Sequence, residues 1–296
     1  MTCRKSSIMK VADKWKDYTV IATGDGYKLE KWKDVILLRP DPQVIWESRT
    51  DMNGYPGLNA RYVRSESGGG AWQNLKKFPD EWVVSYDDLK FKVKPMGFKH
   101  TGLFPEQAVN WDIMRGLITR VNRPINVLNL FAYTGGATVA CLAAGASVCH
   151  VDASKGMVER AGENVRLSGL KDKPVRFIVD DCVKFVKREI KRGRKYDAII
   201  MDPPSYGRGP NGEIWKIETE IYSFVKLCSE VLSDDPLFVL INSYTTGLQP
   251  TVLENILTLT VKEKVGKGRI EAYEVGIKTE EGINLPCGAG GMYINE

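Results

Sequence analysis

At 296 residues the chain exceeds the roughly 100 to 200 residues of one ordinary domain, so one large domain or two smaller ones are expected. Hydrophobic residues make up 43% and charged residues 27%, as in globular proteins, and no apolar run approaches the ~20 residues that cross a bilayer, which argues against a membrane-spanning protein. The surplus charge of +5 lies wholly in the first third: residues 1–100 hold 18 Lys and Arg against 13 Asp and Glu, residues 101–296 hold 24 against 24, a bias that suits a phosphate-facing surface or, equally, simple solubility.

In chain order, residues 1–10 are basic, but Asp13, Lys14, Lys16 and Asp17 arrive before any apolar stretch of signal-peptide length, so secretion is not expected. From 18 to 94 the apolar segments are short and turn-bounded: 18–23 before Gly24-Asp25-Gly26, then 35–38, 44–46, 60–63, 82–86 and 89–93. They predict a small, mostly β domain over residues 1–95. Ser67-Gly68-Gly69-Gly70 inside it reads as a flexible loop, because consecutive glycines lose much conformational entropy on ordering. After Pro105 helix and strand alternate: a helix to about Arg120, strand 125–130, helix 137–144, strand 147–151, helix 154–168, strand 175–179, helix 182–192, strand 196–201, helix 216–232 and strand 237–242. This predicts a doubly wound, largely parallel α/β sheet over residues 96–296, with ligand across the carboxyl ends of its strands where the strand order switches. The six cysteines (Cys3, Cys141, Cys149, Cys182, Cys228, Cys287) are scattered with no C-x-x-C pair, which fits reduced thiols in a cytoplasmic protein.

The strand ends carry the candidate chemistry. The first ends Asn129-Leu130-Phe131-Ala132-Tyr133-Thr134-Gly135-Gly136, where paired glycines let the backbone approach a ligand and the following helix amides can receive its negative end. A tight turn alone would also place two glycines there, and the G-x-G-x-x-G of dinucleotide sites is missing. The second ends at Asp152, placed to accept hydrogen bonds from two ribose hydroxyls or to cap the next helix, a task Ser154 could take instead. Asp180-Asp181 ends the third, as acceptors for an adenine amino group or as a capping pair. The fourth holds the most specific element, Met201-Asp202-Pro203-Pro204-Ser205-Tyr206. Its two prolines end the strand rigidly, Asp202 and the Pro203 carbonyl can accept from an amine or base edge, and Tyr206 offers a stacking face; a purely structural Asp-Pro-Pro turn is the alternative.

As an ordered set these segments, with Lys99-His100-Thr101-Gly102-Leu103-Phe104-Pro105-Glu106-Gln107 before them, resemble the class I S-adenosylmethionine (SAM) dependent methyltransferases. More closely they resemble the bacterial 23S ribosomal RNA methyltransferases that place a small N-terminal domain before the catalytic fold, over roughly residue 99 to the C-terminus. The resemblance implies a Rossmann-like, mostly parallel seven-stranded sheet, SAM as methyl donor leaving S-adenosylhomocysteine, and ribosomal RNA as substrate. It puts Phe131, Tyr133, Thr134 and Gly135 around the methionine part of SAM, Asp152 on the ribose and Asp181 near adenine, with Asn129, Ala153, Ser154 and Cys182 beside them. Phe104, Glu106 and Gln107 match a segment that lies over the cofactor in relatives, and Asp202, Pro203, Pro204 and Tyr206 fall on the acceptor side, Asp202 also bordering the cofactor.

One departure matters. Relatives that methylate carbon five of cytosine carry a nucleophilic cysteine after the fifth strand, whereas this chain reads Asn242-Ser243-Tyr244-Thr245-Thr246-Gly247-Leu248, with Thr245 at that place. A hydroxyl is far less nucleophilic than a thiolate near neutral pH, and none of the six cysteines is expected to substitute, Cys287 being the nearest and read as structural. Direct transfer remains, in which a nitrogen or oxygen is held in line with the methyl group at roughly 3 to 3.5 Å. Asp202 would orient that acceptor first and take its proton second. With two histidines, His100 and His150, and no clustered ligand spacing, no metal is expected. Segment 207–216, basic and glycine-containing with Trp215, reads as a lid or an unconstrained loop. Lys184, Lys187, Arg188, Lys191, Arg192, Arg194 and Lys195 form a solvated helix face or a phosphate contact. Three rival functions are weighed: a nicotinamide oxidoreductase, which leaves the Asp-Pro-Pro loop unexplained; a non-catalytic RNA-binding module, which leaves the cofactor positions without a reason; and a methyltransferase for a small molecule or protein, which shares the cofactor half.

Overall fold

The computed structural model describes residues 9–65, 69–208, 214–245 and 247–295. They form two compact units, the smaller of residues 11–108 and 276–287, the larger of 9–10, 109–275 and 288–295. After a short β1 (Lys10–Ala12), the smaller unit runs β2 (Tyr18–Gly24), β3 (Tyr27–Trp32), β4 (Val35–Pro40), β5 (Leu58–Arg64) and β6 (Gly70–Asn74), a five-stranded sheet in that order, then the hairpin β7 (Trp82–Tyr86) and β8 (Leu89–Val93). Asp25 and Gly26, both with positive φ (53° and 80°), join β2 to β3, as a two-residue turn matched to strand twist requires. The period of two is plain in β8, whose Leu89, Phe91 and Val93 are buried while Lys90 is exposed. Residues 44–46 form no strand, contrary to expectation: the Val44 and Trp46 carbonyls instead accept from the turn amides of Gly26 and Asp25 (2.9 and 2.8 Å). Of the glycine run expected to be a loop, residues 67 and 68 lie outside the described residues, and Gly70 opens β6.

The smaller unit also buries charge. Glu30 is fully buried, accepting from Arg39 Nε (2.5 Å) and Nη2 (2.7 Å) and from the Tyr18 hydroxyl (2.7 Å). Burial would raise its carboxyl, but Arg39 and Lys28 outweigh that and hold it at about 2. Arg39 Nη1 also donates to the Lys99 carbonyl (2.9 Å), tying the segment at 99 to the sheet.

The larger unit alternates as the sequence predicts: α1 (Ala108–Arg120), β9 (Asn126–Leu130), α2 (Gly136–Ala143), β10 (Ser147–Asp152), α3 (Lys155–Leu167), β11 (Val175–Val179), α4 (Cys182–Lys191) and β12 (Ala198–Met201). There follow a small hairpin of β13 (Tyr206–Arg208) and β14 (Ile214–Lys216), then α5 (Ile217–Ser229), β15 (Phe238–Ser243), α6 (Pro250–Leu257), a π-helical turn (Thr258–Lys262), α7 (Glu263–Val265), β16 (Arg269–Lys278) and β17 (Asn284–Ile294). The sheet order is β1-β16-β17-β15-β12-β9-β10-β11. Pairing is parallel from β15 through β11, and β17 runs antiparallel to β15. This is the expected doubly wound sheet of seven strands, with the three-residue β1 as an eighth at its edge. Every residue of β12 and β15 is buried, as befits strands covered on both faces. Leu128, Leu130, Phe185, Ile199, Phe224 and Ile241 lie in the core they share with α4 and α5. From β9 the chain builds β10 and β11 on one side, then crosses to β12 on the other, so the strand order switches between β9 and β12.

Candidate active site

The parallel register brings the strand ends level. Leu130 pairs with Val151 on one side and Met201 on the other, Met201 with Ile241, and Asp152 with Val179. The residues just past these positions, Phe131, Asp180 and Asp202, therefore stand beside Asp152 at one edge of the sheet, at the switch in strand order.

The loop after β9 is strained and tightly held. Phe131, Tyr133 and Gly135 all have positive φ (55°, 50° and 83°), a conformation that costs a non-glycine residue roughly 1–3 kcal/mol. Its restraints are the Ala132 N–H on the Val151 carbonyl (3.0 Å), the Tyr133 N–H on Asp152 Oδ2 (2.9 Å), Asn164 Nδ2 on the Thr134 carbonyl (2.9 Å) and the Phe131 N–H on Cys182 Sγ (3.3 Å). Packing demands both glycines: a Cβ on Gly135 would lie 2.8 Å from Ala161 Cβ, and one on Gly136 2.7 Å from the Trp111 ring. A buried chain in the same unit joins β9, α2 and β10. Asn129 Nδ2 donates to Thr138 Oγ1 (3.0 Å), and the same hydroxyl shares a hydrogen bond with His150 Nδ1 (2.9 Å), whose direction follows the imidazole tautomer. Burial pushes the His150 imidazolium down to about 4, which leaves the ring neutral at physiological pH.

Asp152 is half-buried and already works for the protein, since Oδ2 holds Tyr133 and Oδ1 accepts from the Ser154 N–H (2.8 Å). Two of its roughly four lone-pair positions are thus used. Ser154 occupies the N-cap position of α3 without a side-chain capping bond, and Ala153 and Ser154 are exposed. Asp181 caps α4, accepting from the Lys184 N–H (2.8 Å), so the capping alternative raised by the sequence is realised in its Oδ1. Asp180 accepts from the Asp181 N–H (2.8 Å) and pairs with Arg188. Cys182 is buried, its sulfur turned toward the Phe131 amide.

Beyond β12, Asp202 is half-buried, Pro203 buried, and Pro204 and Tyr206 exposed. Trp215 Nε1 donates to the Pro204 carbonyl (2.7 Å), and the Ile217 N–H to the Ser205 carbonyl (3.1 Å), so β14 and the start of α5 fasten the loop at two successive carbonyls. The Trp215 ring in turn packs on Phe131 and Phe224 at centroid distances of 5.3 and 5.6 Å. Of the segment weighed as a lid, residues 209–213 lie outside the described residues; its flanks pair as β13 and β14. Thr245 places its hydroxyl 2.6 Å from that of Ser205, and Asn242 at the end of β15 accepts from Asn110 Nδ2 (3.0 Å), while Asn110 Oδ1 accepts from the Tyr273 hydroxyl (2.5 Å).

Phe104 and Gln107 belong to the smaller unit. There Phe104 precedes a 3-10 turn (Pro105–Gln107), its ring lies 5.7 Å from that of His100, and Glu106 and Gln107 are buried. Sequence reasoning missed Thr138, Asn164 and Asn110, for which the signal was a polar residue at an otherwise apolar helix position, and it left Trp215 without a partner.

Among the described residues Cys141, Cys149, Cys182, Cys228 and Cys287 are unbridged, and burial pushes every one of these thiols up, Cys141 to about 12. None is a thiolate near neutral pH. No group of three His, Cys, Asp or Glu side chains among the described residues could hold a metal ion.

The sequence model of an S-adenosylmethionine-dependent methyltransferase family matches residues 58–247. A solved SAM-dependent methyltransferase of Agrobacterium tumefaciens is 30% identical, with a TM-score of 0.90 over 99% of this chain and 95% of that one. SMU.776, a methyltransferase solved with S-adenosylhomocysteine, shares the fold at 17% identity and a TM-score of 0.70, over 95% of this chain and 76% of that one. Among curated proteins, the ribosomal RNA large subunit methyltransferase K/L of Shewanella frigidimarina is 29% identical over 217 residues, 70% of this chain but 28% of the relative. That of Methylococcus capsulatus is 37% identical over 125 residues, 42% of this chain and 16% of the relative. The chain thus matches less than a third of the length of these relatives.

Proposed function

Because the chain belongs to the S-adenosylmethionine-dependent methyltransferases, we propose that it methylates a base of RNA, ribosomal RNA foremost, by direct in-line displacement without a cysteine nucleophile. The observation that carries the direct mechanism is that every described cysteine is held as a thiol, while Thr245 stands where covalent relatives place theirs. The likeness to ribosomal RNA methyltransferases supports RNA as the acceptor.

SAM brings a sulfonium-activated methyl group, so the protein has to bind, align and exclude water. The strained backbone of Tyr133, Thr134 and Gly135 would receive the methionine part, with Phe131 and Asn129 behind it. Asp152 would accept from the ribose hydroxyls with the lone pairs its amide bonds leave over, flanked by Ala153 and Ser154. Asp181 and the Cys182 backbone would meet adenine. On the acceptor side Asp202 and the Pro203 carbonyl would orient the attacking group and Asp202 would receive its proton, with Pro204 fixed by Trp215 and Tyr206 offering an exposed ring. Residues 1–95 would act as an accessory substrate-binding domain, consistent with the surplus positive charge of that third, and residues 96–296 as the catalytic domain, in a cytoplasmic enzyme. No helix among the described residues is long and apolar enough to cross a membrane.

Incubating the protein with methyl-tritiated SAM and ribosomal RNA from cells that lack it tests the reading. Acid-precipitable label that ribonuclease releases is expected; label confined to protein or small molecules would overturn it.

A further inference from the structure

The neutral balance of residues 101–296 conceals a strong local imbalance. Residues 182–195 hold seven Lys and Arg against the single Glu189, so the remainder of that stretch holds 17 against 23. A segment of net +6 is set on a background of net −6.

The structure sorts these charges onto one surface. Cys182, Phe185, Val186 and Glu189, spaced i, i+3, i+4, i+7, form the buried stripe of α4. Lys184, Lys187, Arg188 and Lys191 are exposed on its remaining surface, and Arg192, Arg194 and Lys195 extend the patch past the helix end. Glu189 offsets only Arg192: it is 1% exposed and its carboxylate is engaged by the Tyr196 hydroxyl (2.6 Å) and Arg192 (3.0 Å). Arg188 pairs with Asp180 and Lys195 donates to the Glu230 carbonyl (2.8 Å). No side-chain hydrogen bond or ion pair among the described residues engages the charged groups of Lys187, Lys191 or Arg194.

Solubility does not explain such a face. A surface helix built for stability intersperses signs, as α3 does with Lys155–Glu159 and Arg160–Glu163. On α4 the i,i+4 neighbours Lys184/Arg188 and Lys187/Lys191 are like charges, each pair costing about 0.2–0.5 kcal/mol. The helix dipole favours cations in the last turn, which accounts for Arg188 and Lys191 but opposes Lys184 in the first. The track also has a direction: α4 begins just after Asp181, at the strand ends that carry the candidate site, and Lys184 to Lys191 extends about 10 Å away from it at 1.5 Å per residue.

We propose that this face of α4, with Arg192, Arg194 and Lys195, docks the phosphate backbone of the RNA substrate beside the base being methylated, as a contact separate from the basic N-terminal third; the inference rests on RNA being the acceptor. Anisotropy of a fluorescein-labelled large-subunit ribosomal RNA transcript, titrated with the full chain between about 50 and 300 mM salt, tests it. At about 0.7 units of log-log slope per single-strand phosphate contact, Lys187→Gln, Lys191→Gln and Arg194→Gln together should flatten the salt slope by about 2 and weaken binding near 0.1 M salt about a hundredfold. Affinity for S-adenosylhomocysteine and melting temperature should not change, and the charge-keeping set Lys187→Arg, Lys191→Arg and Arg194→Lys should bind as the wild type does. A glutamine triple variant with wild-type slope and affinity would overturn the docking face while leaving the RNA reading intact. A wild-type chain that shows no salt-dependent RNA binding would overturn both.

Discussion

Asp152→Ala separates what the carboxylate does for the protein from what it does for the cofactor. It accepts two backbone amides, Tyr133 at 2.9 Å and Ser154 at 2.8 Å, and the first of these restrains a loop with two non-glycine residues at positive φ. Hydrogen bonds to a charged acceptor contribute about 1.5–3 kcal/mol each, and at this half-buried site water replaces part of the loss, so the ligand-free protein should lose about 3 kcal/mol. For a unit of this size that is a fall of about 6–12 °C in melting temperature, readable by circular dichroism without cofactor. If Asp152 also accepts from ribose hydroxyls, affinity for S-adenosylhomocysteine should drop a further ten- to more than a hundredfold, about 1.5–3 kcal/mol by calorimetry. Asp152→Asn keeps one acceptor and sets its amide group against the other backbone N–H, so it should fall between the two. A variant that melts as the wild type does would refute the clamp, and a destabilised variant with unchanged affinity would remove Asp152 from the cofactor.

Three further perturbations address other parts of the site. Gly135→Ala combines a residue at φ 83° with a Cβ 2.8 Å from Ala161, so it should destabilise by about 2 kcal/mol or more and weaken cofactor binding; wild-type melting and affinity would show that the loop is not constrained as described. Asp202→Ala should lower turnover at least a hundredfold while leaving cofactor affinity within about threefold, and an equal loss in both would contradict its place on the acceptor side. Burial holds His150 at about 4 in the folded chain against about 6.5 unfolded, so the unfolded state takes up the proton first: stability is full above about 6.5 and drains as pH falls toward 4, by up to about 3 kcal/mol. His100 is lowered with the same sign by burial and Arg39, so urea midpoints at pH 7 and 5 should shift less in His150→Phe than in the wild type without the shift vanishing, and an undiminished shift would remove His150 as its source.

The larger unit was legible because its central strands, β12 and β15 above all, are buried on both faces and read as unbroken apolar runs between helical periods. The same rule failed for β3, whose Tyr27-Lys28-Leu29-Glu30-Lys31-Trp32 carries a carboxylate at an inward position. Glu30 looks like a surface residue until Arg39 and Tyr18, nine and twelve positions away, are known to close on it. Val44-Ile45-Trp46 reads as a strand because it is a short apolar run between polar residues, yet the Val44 and Trp46 carbonyls are taken up by a turn. At the site, carboxylates on strand ends could be found from position alone. The capping of α4 by Asp181 was among the readings the sequence offered, but that Asp152 would hold the Tyr133 amide was not, since this follows from the φ signs of the loop after β9. Both glycines of Gly135-Gly136 were noticed for ligand approach, whereas the contacts that demand them are Ala161 and Trp111, 26 and 25 residues away.

The most direct test of the account is nucleoside mass spectrometry of ribosomal RNA from cells with and without this protein. One methylated nucleoside should disappear on deletion, return with the wild-type chain, and fail to return with Asp202→Ala. Identical nucleoside profiles in all these cells would contradict RNA base methylation as its function.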